Sequence, residues 1–183
     1  MEPKKLTIPM DHQALTLLRA GERVLLSGTI YTARDAAHKR MSESIEKGEA
    51  LPFSINHQFI YYVGPTPPGP GRIIGSAGPT TSGRMDRYTP SLLERGLKGM
   101  IGKGYRNQEV KDSIVKNQAV YLAAIGGTGA LISRTIQSME VIAYEDLGPE
   151  AIYKLTVKDF PATVIIDSTG EDWYEIGKTI FNG

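Results

Sequence analysis

The sequence predicts a mixed α/β fold in three layers, in preference to a doubly wound parallel sheet. Helix and strand patterns alternate through the middle of the chain, whereas strand patterns cluster at both ends. The run Ala119–Ile125 is apolar throughout, as expected of a strand covered on both faces. At 183 residues the chain fits one domain, residues 1–183, and can bury a sizeable core.

Lys5–Ala20 reads as a lead-in strand and turn anchored by Leu6, Ile8, Leu15, Leu17 and Leu18. Arg23–Tyr31, rich in Val, Leu, Ile and Tyr, reads as a buried strand. A helix follows, because Thr32 and Asp35 form a Thr-x-x-Asp capping pattern and Ala37, Met41 and Ile45 recur every four residues. Gly48 stands where that helix should stop. Phe59–Val63 is a further strand. In the next run, Gly64–Gly71, proline removes backbone donors and fixes φ, which makes a stiff loop; a proline-recognition ligand is the other reading.

Arg72–Ala77 is strand-like and delivers the chain to a polar loop, Gly78–Asp86. Thr89-Pro90 supplies the N-cap and first position of a short helix through Leu92 and Leu93 that ends at Gly96. Gly99–Ile101 is a short strand, and Asn107–Lys116 is a helix with Val110 and Ile114 on one face. Gly126–Gly129 is a tight turn opening another helix. Val141–Tyr144, Ile152–Val157 and Thr163–Asp167 supply strands, and Glu171–Phe181 is a closing helix anchored by Trp173 and Ile176.

Composition narrows the function classes. A net charge of +1 argues against a nucleic-acid footprint. No run reaches the ~18 apolar residues of a membrane span. The start, Met1–Lys5, lacks the apolar segment of a secretory signal, so the expected compartment is the cytoplasm. With Cys 0, the sequence offers no disulfide, no thiolate nucleophile and no thiolate ligand for zinc or an iron–sulfur cluster. His12, His38 and His57 are scattered without metal-ligand spacing, so a metal used in the chemistry is expected to come from elsewhere.

The string Gly78-Pro79-Thr80-Thr81-Ser82-Gly83-Arg84-Met85-Asp86 packs hydroxyls, glycines, a guanidinium and a carboxylate into one loop. Such loops concentrate binding groups, although the same string also reads as a polar turn. Arg84 suits a bidentate grip on a carboxylate or phosphate. Arg34 falls in a first helical turn, where the dipole disfavours a cation. Either a nearby anion or pairing with Asp35 or Glu46 would account for it. Lys103 lies between Gly102 and Gly104, where backbone can approach a ligand closely.

Gly102-Lys103-Gly104 is not a P-loop, and Gly127-Thr128-Gly129 is a weak dinucleotide fingerprint lacking the third glycine. A threonine hydroxyl such as Thr80 or Thr81 is a poor base unless its surroundings activate it. Asp86 is the nearest candidate in sequence, and a partner's residue could serve equally. Three cations and a hydroxyl suit a small dianion, such as a dicarboxylate, losing a proton beside its carboxylate.

Over nearly its whole length the chain resembles the β subunit of two-subunit class I fumarate hydratases and the related L(+)-tartrate dehydratase β subunit. The likeness runs through Gly28–Arg40, Gly64–Gly71, Gly78–Asp86, Ile101–Gly104, Gly126–Leu131 and Tyr144–Ala151. The resemblance implies a three-layer β/β/α swivelling domain, similar to the mobile domain of aconitase. It implies a hydro-lyase active only with a cysteine-bearing α subunit, as a hetero-oligomer; fumarate and L-malate are placed ahead of L-tartrate because the chain offers no obvious additional polar partner beside the threonine loop. The family's 4Fe-4S cluster is held by three cysteines of the α subunit or N-terminal domain, and its open iron acts as a Lewis acid on the hydroxyl. Carried over by motif, Thr80 matches the catalytic base. Arg84, Arg34 and Lys103 match the substrate-carboxylate ligands, with Thr81, Gly83 and Asp86 as supporting residues and no metal ligand in this chain. A non-catalytic anion-binding or regulatory domain of the same fold is the other reading.

Overall fold

One long strand near the end of the chain decides the architecture. The computed structural model describes residues 2–124 and 129–181; the turn expected at Gly126–Gly129 and the end of the strand at Ile125 lie outside them, apart from Gly129. The strands are β1 (Lys4–Ile8), β2 (Arg23–Thr32), β3 (Phe59–Tyr61), β4 (Gly99–Gly102), β5 (Val120–Ala124), β6 (Ile136–Ala143) and β7 (Ile152–Ile166). The helices are α1 (His12–Thr16), α2 (Asp35–Glu46), α3 (Thr89–Glu94), α4 (Gln108–Asn117), α5 (Gly129–Thr135) and α6 (Trp173–Phe181).

The mixed α/β expectation holds, and the sheet closes on itself. Strands run in the order β1-β2-β3-β4-β5-β7-β6, with β7 also paired to β2. From β1 to β5 each neighbouring pair is parallel, while β7 is antiparallel to both β5 and β2. Thr163 pairs with Arg23 on one side and Ala123 on the other, and Ala162 pairs with Val24 and Ala124. The ring β2-β3-β4-β5-β7 is therefore a small barrel.

Barrel closure also decides which face of each strand is buried. Along β3, Phe59 and Tyr61 enter the core inside the ring with Leu26, Ile30, Leu122 and Phe160. Ile60 points the other way, followed by Tyr62, into a second core under the helices with Met41, Leu92, Val110 and Ile114. This period-two alternation between two apolar layers is why the central strands are apolar throughout.

Local expectations change at several points: a helix, α1, lies within Lys5–Ala20, and the strand expected at Val141–Tyr144 runs from Ile136 to Ala143. Ile152–Val157 and Thr163–Asp167 were expected as separate strands, yet they belong to one strand of 15 residues. Asp159, at φ 54, is the site of a bulge whose free N–H donates to Ser27 Oγ at 3.0 Å. Beyond the bulge the strand resumes its register, with Phe160 opposite Leu26 and Pro161 opposite Leu25.

Arg72–Ala77 forms no strand. It is bound to the proline loop, with Thr66 N–H donating to Ser76 O at 3.0 Å and Ser76 N–H to Thr66 Oγ1 at 2.7 Å. The neighbouring prolines have no N–H to continue a ladder.

Thr32 ends β2 instead of capping α2, because its hydroxyl accepts from Tyr153 N–H at 3.0 Å; the N-cap is Arg34, with no side-chain capping bond. Thr89 is inside α3, after an N-cap at Tyr88. Its hydroxyl donates to Met85 O at 2.9 Å, the back-bond of a helical residue. Among the described residues no helix is long and apolar enough to cross a membrane.

Candidate active site

The polar loop is laid along the end of β4 by backbone bonds. Thr80 N–H donates to Tyr62 O at 2.7 Å, Ser82 N–H donates to Lys103 O at 2.8 Å, and Thr81 bridges Lys103 in parallel register. This registration brings Thr80, Thr81 and Lys103 together. Ser82 is fully buried, and its Oγ lies 2.9 Å from the Tyr121 hydroxyl, which donates to Gly104 O at 2.8 Å. Gly102 beneath it leaves no space for a side chain against Ser82.

The loop then tightens into a 3₁₀ turn, Ser82–Met85, which carries exposed Gly83 and Arg84 outward and Met85 into the core. Asp86 anchors its far end. Its Oδ1 accepts from Arg106 Nε at 2.6 Å and its Oδ2 from Asn107 N–H at 2.8 Å. The Arg106 side chain is 0% exposed, and it also donates to Thr89 Oγ1 at 2.8 Å and lies over the Tyr62 and Tyr121 rings. Burial works against that charge, but Tyr62, Asp86 and Tyr121 outweigh it and hold the guanidinium above its ordinary pKa. Both Asp86 oxygens are thus engaged in clamping the loop, so Asp86 supports the geometry and is not free to activate Thr80.

The other cation arrives from the opposite side. Arg34, three-quarters buried, sits at the start of α2, where the helix dipole would repel it. Asp35 and Glu150 offset that field, each with an oxygen 3.8 Å from Arg34 Nε. Gly64 makes room for it, since a Cβ there would lie 2.8 Å from Arg34 Nη1. Arg84, half exposed, reaches across to donate from Nε to Asp35 Oδ1 at 2.9 Å. Arg34 and Arg84 therefore converge on one carboxylate, and Arg84 belongs to the same loop as Thr80. Lys103, exposed, is tied to the same loop through its backbone bridge to Thr81.

Buried atoms without a hydrogen-bond partner cluster here: Arg34 Nε, Asp35 Oδ2 and His38 Nε2 all belong to the first two turns of α2. His38 is fully buried, its Nδ1 lies 2.8 Å from Arg34 O, and its ring packs against Tyr62 and Tyr88. Neutral His38 donates from Nδ1 to that carbonyl. Burial pushes its pKa down from 6.5 to about 4, helped by the nearby Arg106 charge and opposed by the Arg34 carbonyl and Asp35.

An unfolded chain takes up a proton near pH 6.5, whereas the folded one does so only near pH 4. Stability is complete above the upper value and is lost as pH falls toward the lower one, by about 3 kcal/mol from this residue. His38→Asn, which keeps a donor for the carbonyl, should flatten the stability profile between these values. Urea midpoints recorded across that range test it. An unchanged slope in the variant would show that His38 is not the acid-sensitive group.

Thr80, Thr81, Gly83, Arg84, Arg34, Lys103 and Asp86 were candidates from the sequence; Arg106 and Tyr121 were not, and His38 stood there only as a histidine without metal-ligand spacing. For His38 a signal existed: it follows Arg34 by four residues, which places both on one helix face. Among the described residues no three His, Asp or Glu side chains form a group that could hold a metal, and the sequence has no cysteine. The residues present do not fit a 4Fe-4S cluster; they fit an anion.

The family described as "Fumarase C-terminus" matches residues 3–177. The aerobic class I fumarate hydratase of Escherichia coli (strain K12) is 43% identical over 155 residues, which are 84% of this chain and 28% of that protein. Fumarate hydratase 2 of Leishmania major is 39% identical over 170 residues, 91% of this chain and 30% of that protein. A Methanocaldococcus jannaschii protein named for the L(+)-tartrate dehydratase β subunit is 35% identical over 171 residues, 90% of this chain and 88% of its own length. The chain thus spans less than a third of the fumarate hydratases it matches and most of the tartrate dehydratase subunit.

Proposed function

Because the chain belongs to the fumarase C-terminus family, we propose that it is the substrate-clamping half of a hydro-lyase interconverting fumarate and L-malate. In this reading it is a β subunit. A cysteine-bearing α subunit holds the 4Fe-4S cluster, and the two form a cytoplasmic hetero-oligomer. The domain would swivel as the mobile domain of aconitase does. The single observation that carries the reading is the convergence of Arg34 and Arg84 beside the Thr80 loop and Lys103.

The chemistry follows from those groups. The terminal nitrogens of Arg34 and Arg84 and the Lys103 ammonium would bind the carboxylates of a four-carbon dianion. Their charge would also stabilise the electron density that builds on a carboxylate when the neighbouring carbon loses its proton. Thr80 Oγ would take that proton. Since both Asp86 oxygens are occupied, the carboxylate that activates Thr80 is assigned to the α subunit.

Tartrate differs from malate by one hydroxyl, which a selective site must bond. Ser82, the additional hydroxyl of the loop beyond Thr80 and Thr81, is turned inward to Tyr121, and that favours malate. The test is anaerobic co-expression with a cysteine-bearing partner, followed by kcat/KM for malate, tartrate and mesaconate. Malate is expected to lead. A tartrate value above it would move the assignment to the tartrate dehydratase reading. No lyase activity in a cluster-loaded complex would leave a non-catalytic anion-binding domain.

A further inference from the structure

Among the described residues Asp35 is the one side chain that approaches both arginines, and it does so on a particular edge. Its Oδ1 accepts from Arg84 Nε at 2.9 Å, and its Oδ2 lies 3.8 Å from Arg34 Nε. In each guanidinium the Nε edge faces a carboxylate, while the terminal nitrogens make no hydrogen bond among the described residues. A guanidinium held at Nε still presents its end-on pair of N–H groups, the pair that grips a second carboxylate in a fork.

The same contact sets up a tension that a ligand would relieve. Arg34 Nε and Asp35 Oδ2 are both buried and both lack a hydrogen-bond partner. Buried unpaired polar atoms are costly, and a separation of 3.8 Å is too long for the bond that would satisfy both. A shift of under an ångström closes it. Catalytic hydrogen bonds that are long in the free state and tighten with ligand show this behaviour.

We propose that Asp35 is a positioning residue that locks Arg34 and Arg84 by their Nε edges, so that their terminal nitrogens form one receptor for a dicarboxylate. Without it two like charges would repel each other across the site, and each arginine would sample many rotamers. Glu150 cannot replace it, because its Oε1 approaches only Arg34, at 3.8 Å, and accepts from Ala36 N–H at 3.4 Å.

The proposal rests on the functional reading for the ligand's identity, and its test is separable from that reading. Succinate, a four-carbon dicarboxylate that cannot be hydrated, is titrated calorimetrically into the complex with its cysteine-bearing partner. Asp35→Asn keeps one acceptor but places an amide where Arg34 needs an oxygen, and it should weaken succinate by ~10-fold or more. Asp35→Glu restores the charge and should recover part of that loss.

In an Arg84→Lys background, which has no Nε, Asp35→Asn should cost much less than it does alone. Side-chain NMR of arginine-labelled protein gives a readout independent of ligand: the Arg84 Nε proton should exchange several-fold faster in D35N than in wild type. Succinate binding unaffected by D35N, or losses that simply multiply in the double variant, would overturn the proposal and leave the hydro-lyase reading intact. A wild-type complex that binds succinate through Asp35 yet turns over no four-carbon substrate would overturn that reading instead.

Discussion

If the chain acts as the proposed half of a hydro-lyase, removing the Thr80 hydroxyl, as Thr80→Val, should cost the reconstituted complex ~100-fold or more in kcat while KM stays close to its wild-type value. The split follows from the division of labour in the site. In the proposed function Arg34, Arg84 and Lys103 would carry the charge that binds a dianion, and the loop is registered through the Thr80 and Ser82 amides and not through the Thr80 side chain. Deleting a hydroxyl leaves that scaffold alone and removes only a group used while a proton is moving. Thr80→Ser should keep much of the rate, because the hydroxyl survives. Arg84→Lys should raise KM as well, since an ammonium cannot form the end-on fork. Near-native kcat in Thr80→Val would transfer the proton-taking role to another group.

The second large effect concerns stability. Asp86→Ala should destabilise the chain by about 3–5 kcal/mol, because it leaves a buried guanidinium without its carboxylate. Arg106 is 0% exposed and its Nε bond to Asp86 is 2.6 Å. Desolvating that charge is tolerable only with the carboxylate, the Thr89 hydroxyl and the two tyrosine faces around it. A domain of this size has ~5–15 kcal/mol in hand, so the variant should unfold at a much lower urea concentration. Replacing both partners with apolar side chains of similar bulk should cost less than Asp86→Ala alone. A midpoint shift equivalent to under about 1 kcal/mol would mean that water reaches Arg106.

What was legible in the sequence followed from local chemistry. The central strands and the irregular course of Gly64–Gly71 came from side-chain patterning, and patterning survives folding. Arg34, Arg84 and Lys103 stood out as candidates because cations at such positions have no packing role, and the first two meet at Asp35. What escaped was set by long-range partners. Asp86 resembles an available carboxylate until Arg106, twenty residues on, is seen to occupy it. The single long strand β7 was hidden by Pro161 and by the bulge at Asp159, which the pairing with Ser27 makes possible. The strand expected at Arg72–Ala77 failed for a related reason, since propensity identifies a segment that could pair and not whether a neighbour is there to pair with it.

The closed ring also orders events while the chain is being made. Strands β2 to β5 can align as soon as residue 124 has emerged, but the outer rows of amides and carbonyls on β2 and β5 both wait for β7, which begins at Ile152. Until that strand arrives, the nascent chain carries two open sheet edges beside uncovered apolar side chains, the condition in which strands pair with the wrong neighbour. Ala162 and Thr163, paired in register with a strand on each flank, then act as a clasp. Between residue 124 and the arrival of β7 the sheet is an open ribbon, and that one segment turns it into a barrel.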